Sequence, residues 1–212
     1  MKKLRDKAYD VIKNKIVTCH FLPNTFINEV SLCEEIGVSR TPIREAMNKL
    51  EQEGLIKVYP KRGALVTDIS LSMINEIFQV RMLLEPHIIL SCARNIDKDK
   101  FANVKERLLD DLKLFDMESI YLTDMDIHNL ILKSSDNRYF ISLMESIFDQ
   151  NHRLRIIAGQ RVQKRLETTN VEHLRIIDAL LLGNWQDAAN AMHVHLENSK
   201  QAAFDGLMTN ST

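Results

Sequence analysis

A mainly α chain in two parts is predicted: three short helices closed by a β-hairpin, then an all-helical bundle of about six helices. Three observations predict it. Up to Gly54, apolar residues recur at three-to-four spacing in short stretches cut by Pro and Gly. Two runs on either side of "PKRG" then alternate apolar and polar residues. From Ser72 onward only helical periodicity is seen.

Leu4, Ala8, Val11, Ile12 and Ile16 form one helical stripe, which "HFLPN" stops with Pro23. Asn28 is placed to cap a second helix with Val30, Cys33 and Ile36 inward, and Gly37 suits the left-handed residue that ends it. Ser39 caps the third helix. Pro42 lies in its first turn, where a missing N–H costs nothing, and Ile43, Ala46, Met47 and Leu50 make its inward stripe up to Gly54. Residues 55–59 and 64–67 then alternate around a basic tip, as a hairpin does. This order is the winged helix-turn-helix layout. It assigns residues 1–66 to that domain, 67–71 to a linker, and 72–212 to the helical domain. The helical pattern of the second domain breaks at "RNIDKDK", "FDMES", "SSDNR", "AGQRVQKR" and "LLGNW".

With 212 residues and 45% apolar content the chain can bury a proper core. Its apolar runs are a few residues long, far short of the roughly 20 that cross a bilayer, and "MKKLRDKAYD" places charge where a signal peptide needs apolar residues. Cys19, Cys33 and Cys92 are scattered without CxxC spacing, as reduced thiols of a cytoplasmic protein would be. The net charge of -1 hides an asymmetry. The first 66 residues carry 12 Lys/Arg against 8 Asp/Glu, and the remainder carries 16 against 21. A basic head on an acidic body suits a polyanion partner for the head.

In a helix-turn-helix the first residues of the second helix meet the groove. Here these are Ser39, Arg40, Thr41 and Arg44. The two Arg share a face opposite the Ile43, Met47, Leu50 stripe. Arg can read guanine O6 and N7 or clamp a phosphate, and Ser or Thr at a helix start can donate to phosphate. Lys61 and Arg62 at the hairpin tip can reach the backbone or the minor groove. Double-stranded DNA is therefore the expected partner.

"GVSRTPIREAMNKLEQEGLI" followed by "KRG" resembles the DNA-binding domain of the GntR family of bacterial transcription regulators. The resemblance implies principal base or phosphate contacts from Arg40 and Arg44, phosphate contacts from Ser39 and Thr41, and a wing glycine, Gly63, close to the DNA. Many members carry an Arg near the start of the second helix; Val30 stands there in this chain, which removes one backbone contact.

A second constellation lies in the helical part. Asp124 and His128 are four apart and share a helix face, His173 precedes the apolar Ile176, Ile177 and Leu180, and His195 falls in a row with Ala188 and Met192. Three imidazoles and one carboxylate from three helices would leave open positions on a zinc-like or other first-row divalent ion. The competing reading is a set of packed, hydrogen-bonded histidines. His193 competes with His195, because residues two apart face apart on a helix, and the Ala188–Met192 row favours His195. His20, His87 and His152 have no partner pattern.

"FQVRMLLEP", "DMDIHNLILKSSDN" and "EHLRIIDALLLGNWQDAANAMHVHL" are similar in order and spacing to the FCD effector domain of the FadR-type branch of GntR regulators. That resemblance implies Asp124, His128, His173 and His195 as ligands of a divalent ion of the zinc, nickel or manganese class. Ile127 replaces the family's aromatic before the first His. The resemblance also places Arg81 at the effector cavity, where it could pair with a carboxylate; pairing with Glu85 on its own helix is the alternative. Asn137 reads as a helix cap.

The function implied is a ligand-responsive regulator that binds operator DNA as a homodimer, with a small-molecule effector, a carboxylate, in the helical domain. A metal-dependent hydrolase is the alternative from another class. It would need a general base and a cleft beside the ion, and the chain holds no HExxH, GxSxG or Gly-rich phosphate loop. In a third reading the metal itself is the signal.

Overall fold

A computed structural model describes residues 2–114, 117–159 and 163–209. These residues form two compact units, one of residues 1–70 with Phe148–Ile157, the other of Leu71–Ile147 with residues 158–212.

The first unit begins with α1 (Lys2–Val17), α2 (Glu29–Ile36) and α3 (Arg40–Gln52). Ala8, Ile12 and Ile16 of α1 are buried against the α3 stripe of Ile43, Ala46, Met47 and Leu50, each large aliphatic contributing about 1.5–3 kcal/mol by leaving water. Leu4 stays exposed, a turn before the core begins. In α2 the inward row is Leu32 and Ile36, with Cys33 partly buried; of the expected stripe of Val30, Cys33 and Ile36, only Val30 is turned out to solvent, and Leu32 takes its place. Asn28 caps α2 as expected, its Oδ1 accepting from the N–H groups of Val30 (2.7 Å) and Ser31 (3.4 Å), and Gly37 ends it with φ 72.

The hairpin is β2 (Ile56–Tyr59) and β3 (Gly63–Val66), joined through Lys61 at φ 65. A strand not foreseen, β1 (Phe26–Ile27), pairs antiparallel with the other edge of β3, giving the order β1-β3-β2. At two residues it is too short to show a period. Gly63 lies in this sheet with φ 96, where a Cβ would collide with the carbonyl of Ile27.

The last turns of α7 (Arg138–Ile157) belong to this unit. Arg153 is wholly buried: Nη1 donates to Gln150 Oε1 (2.6 Å) and Thr67 Oγ1 (3.1 Å), and Nη2 donates to the Thr67 carbonyl (2.5 Å). Lys13 of α1 pairs with Asp149 at 2.7 Å. Arg153→Met keeps the bulk but strips Thr67 of its charged donor. We expect a loss of about 2–3 kcal/mol in urea unfolding, the scale of hydrogen bonds from a charged group; an unchanged midpoint would show that Arg153 contributes packing alone.

The second unit comprises α4 (Leu71–Ser91), a 3-10 turn (Ala93–Asn95), α5 (Lys98–Leu114), α6 (Met117–Ser134), the first half of α7, α8 (Gln163–Leu182) and α9 (Trp185–Thr209). The bundle therefore has the six helices expected. α9 packs along α4 and α8, α8 also meets α5, and α4 also meets α6, so α4, α6, α8 and α9 share one interior. Asn137 caps α7 through Oδ1, which accepts from the N–H groups of Tyr139 and Phe140. The breaks read at "FDMES" and "AGQRVQKR" fall partly on residues 115, 116 and 160–162, outside the described residues. No helix among the described residues is long and apolar enough to cross a membrane.

Candidate functional site

On the first unit, Ser39, Arg40, Thr41 and Arg44 lie exposed over the first turns of α3. Ser39 sits at the N-cap with extended backbone, yet its hydroxyl makes no cap bond and is left for another acceptor or donor. Arg44 Nε donates to Glu29 Oε2 at 3.0 Å. An ion pair on an exposed surface contributes about 0–1 kcal/mol, so it aims the guanidinium without competing seriously with a phosphate or a guanine. Lys61 and Arg62 are exposed at the hairpin tip. Two wing residues escaped the sequence reading: Phe26, exposed, lies edge-on to Tyr59 (5.7 Å between centroids) and beneath the Arg62 guanidinium (5.0 Å). Phe26 lies in the undetected β1, whereas Tyr59 ends β2, expected as a strand but with no role given to its ring. Gly63 packs on Ile27, which is a reason for glycine there independent of any DNA contact.

In the second unit, the spacing of Asp124 and His128 on α6, His173 on α8 and His195 on α9 becomes a cluster. All four are buried, and one donor atom from each lies within 4.8 Å of the others. The ring centroids are 4.4 Å apart for His173 and His195, 5.3 Å for His128 and His195, and 5.6 Å for His128 and His173. His173 Nε2 is 3.2 Å from Asp124 Oδ1. The competition on α9 is resolved: His195 is inside, while His193 is exposed beside Glu197.

The imidazoles are oriented from behind. His128 Nδ1 lies 2.5 Å from Glu85 Oε2, and Arg81 Nε donates to Glu85 Oε1 at 2.6 Å. Burial pushes the Glu85 carboxyl up, but Arg81 and His128 beside it outweigh this and hold it at about 2. An ionised carboxylate can only accept, so Nδ1 of His128 donates to it, which leaves Nε2 as the nitrogen available for ligation. His195 Nδ1 likewise faces Glu172 Oε2 at 2.8 Å, and Asn198 Nδ2 donates to the other oxygen of Glu172 at 2.8 Å. Burial lowers the His195 pKa to about 4 against the opposing pull of Glu172, so at neutral pH this ring is in its unprotonated, ligating form.

Donors about 2.1 Å from one centre stand about 3–4 Å from each other. Three imidazoles, two of them oriented, and a carboxylate inside a 4.8 Å span therefore fit a divalent first-row ion. Arg81, expected to face a ligand, is buried and engaged with Glu85, with Nη2 3.2 Å from His128 Nδ1. Glu172 was missed in the sequence, because a glutamate beside a histidine on a helix shows no sign that it reaches a histidine 23 residues away.

A winged helix-turn-helix head with an Arg-bearing helix, joined to a bundle with a buried His/Asp cluster, defines a transcriptional regulator rather than an enzyme. Residues 4–66 match the family model described as bacterial regulatory proteins, gntR family, and residues 76–198 match that of the FCD domain. The chain belongs to the GntR family of bacterial regulatory proteins, in the group that carries an FCD domain. The HTH-type transcriptional regulator YdhC of Bacillus subtilis (strain 168) is 30% identical over 195 residues, 90% of this chain and 86% of that protein. Among solved structures, E. coli McbR/YncC superposes with a TM-score of 0.81 at 16% identity, over 95% of this chain and 97% of that one. The Zn2+-bound FCD domain of TM0439 gives a TM-score of 0.60 at 22% identity, over 67% of this chain and 99% of that one.

Proposed function

We propose that this regulator binds operator DNA as a homodimer, and that a small carboxylate effector controls it by docking at a divalent ion held by Asp124, His128, His173 and His195. The observation that carries the reading is the closed, buried set of four donors, two of whose imidazoles are oriented by Glu85 and Glu172. The Zn2+-bound FCD domain of TM0439 supports it, since a related fold takes such an ion. An ion bound here would supply a Lewis-acidic centre with positions open to a ligand oxygen. Ser39, Arg40, Thr41, Arg44, Lys61 and Arg62 form the proposed DNA face, and two heads on one dimer would read half-sites of a pseudo-palindrome. A protein that controls bacterial transcription would act in the cytoplasm.

Effector control is a coupling between two sites, of a size that usually changes affinity about 5- to 150-fold. The test is to select duplexes from a random library and follow their binding by fluorescence anisotropy, with the protein metal-loaded or chelated and with acetate present or absent. A change in DNA affinity on adding acetate to the loaded protein, abolished by chelation, is expected. Identical affinity in all four conditions would refute effector control through this site.

A further inference from the structure

Among the described residues of the second unit, one buried side-chain amide has no hydrogen-bond partner on either atom. Asn170 on α8 is 1% exposed, and both Oδ1 and Nδ2 lack a hydrogen-bond partner among the described residues. Its buried neighbours in this unit behave otherwise: Thr123 bonds Asp111, Ser134 bonds the carbonyl of Ile131, His128 faces Glu85 and His195 faces Glu172. An amide has two donor hydrogens and an acceptor oxygen, and burying them unpaired is costly enough that native proteins rarely do so without a reason.

The position supplies the reason. Asn170 lies one helical turn before His173 on the buried side of α8, the helix that packs against α9 and its His195. By helical spacing it shares the face of His173 while lying outside the four-donor set. Arg81, the charged group expected to meet an effector, is bonded to Glu85 and lies 3.2 Å from His128 Nδ1.

We infer that Asn170 is the effector-specificity residue, and that it reads a hydroxyl carried next to the metal-bound carboxylate. This rests on the proposed reading of the site. The chemical class follows from counting donors and acceptors. A second carboxylate oxygen would satisfy Nδ2 and leave Oδ1 bare, and an apolar tail would leave both bare. A hydroxyl accepts from Nδ2 and donates to Oδ1, pairing both.

The test uses the full-length, metal-loaded protein and three pairs of probes differing by one hydroxyl: acetate and glycolate, propionate and lactate, succinate and malate. Calorimetric titration of the wild type should show the hydroxylated member of at least one pair binding about tenfold tighter, the scale of one well-made hydrogen bond between buried partners. Asn170→Leu keeps the volume and removes the amide. It should retain the metal, melt no lower than wild type because an unpaired buried amide has been replaced by an apolar side chain, bind the plain acid within about threefold of wild type, and lose the preference for the hydroxyl. Asn170→Ser, which restores a donor and an acceptor, should recover part of that preference.

Three results would overturn the inference. One is a wild type that binds the acids without preference, which leaves the metal-and-carboxylate reading standing. Another is a preference that survives in Asn170→Leu. The third is an Asn170→Leu protein that melts several degrees lower and releases its metal, which would make the residue a structural support. If the wild type holds metal yet binds none of the six acids, the proposed effector site falls and this inference falls with it.

Discussion

Replacing His173 by Ala should empty the cluster of the proposed divalent ion. Wild-type protein purified without added metal and dialysed should keep about one ion per chain, whereas His173→Ala keeps almost none. The effect is large because His173 is wholly buried within the donor set, 3.2 Å from Asp124 and with its ring 4.4 Å from that of His195, so Ala removes one of three imidazoles from its interior. Binding to the native state alone stabilises it by mass action, about 4 kcal/mol at an ion concentration a thousand times Kd. Chelated wild type should therefore melt well below the loaded protein, and His173→Ala should melt at the same temperature with and without metal. Elemental analysis with calorimetry decides it; a variant that keeps its ion would refute the four-ligand set.

Acid should have a similar effect. Burial holds His195 at about 4, below the usual histidine value near 6.5. Above about pH 6.5 the ring is neutral in both folded and unfolded chains. As the pH falls from there towards 4, the unfolded chain takes a proton that folded His195 refuses, so stability falls; below 4 the folded ring protonates as well and stops being a ligand. Bound metal, which needs the neutral ring, should move its own release to lower pH as its concentration rises.

The second large effect is expected on the other unit. Arg40→Ala should weaken operator binding by about 1–3 kcal/mol for each half-site, with discrimination relaxed at the base positions it reads, while Lys61→Ala should weaken all sequences alike and reduce the salt slope by about one. Both side chains are exposed and outside the core, so neither change should move the melting temperature. Anisotropy at two salt concentrations on selected and scrambled duplexes separates the two roles. If Arg40→Ala binds both duplexes as tightly as wild type does, α3 is not the reading helix. Arg44→Ala should resemble Arg40→Ala and in addition free Glu29, whose carboxylate would then face the DNA unpaired.

Much of this architecture was legible from local signals. The helices of the first unit announce themselves because capping and termination are chemistry within a few residues: Asn28 reaches the N–H groups two and three positions on, and Gly37 turns left where a side chain would be strained. The helix count of the bundle was legible because its breaks carry polar residues and, except at "FDMES", a Gly or Asn. Val30 was placed inward in α2 in place of Leu32 because eight residues are too few to fix the phase of a 3.6 period, and because both are apolar. Which of them is buried depends on α3, which no residue of α2 encodes.

The same division runs through the site. Sequence by itself determined the family motifs, the basic face of α3 and the residue types able to hold a divalent ion, because motif, charge and donor chemistry are properties of residues and their near neighbours. Only the tertiary structure decided that Asp124, His128, His173 and His195 meet, that His195 rather than His193 turns inward, that Glu85 and Glu172 hold two of the rings, and that Arg81 is engaged while Asn170 is not. Those are contacts between helices tens of residues apart in the chain. Side-chain partnership across such separations is set by how the helices pack, and packing is a sum over the whole interior that no single stretch of sequence carries.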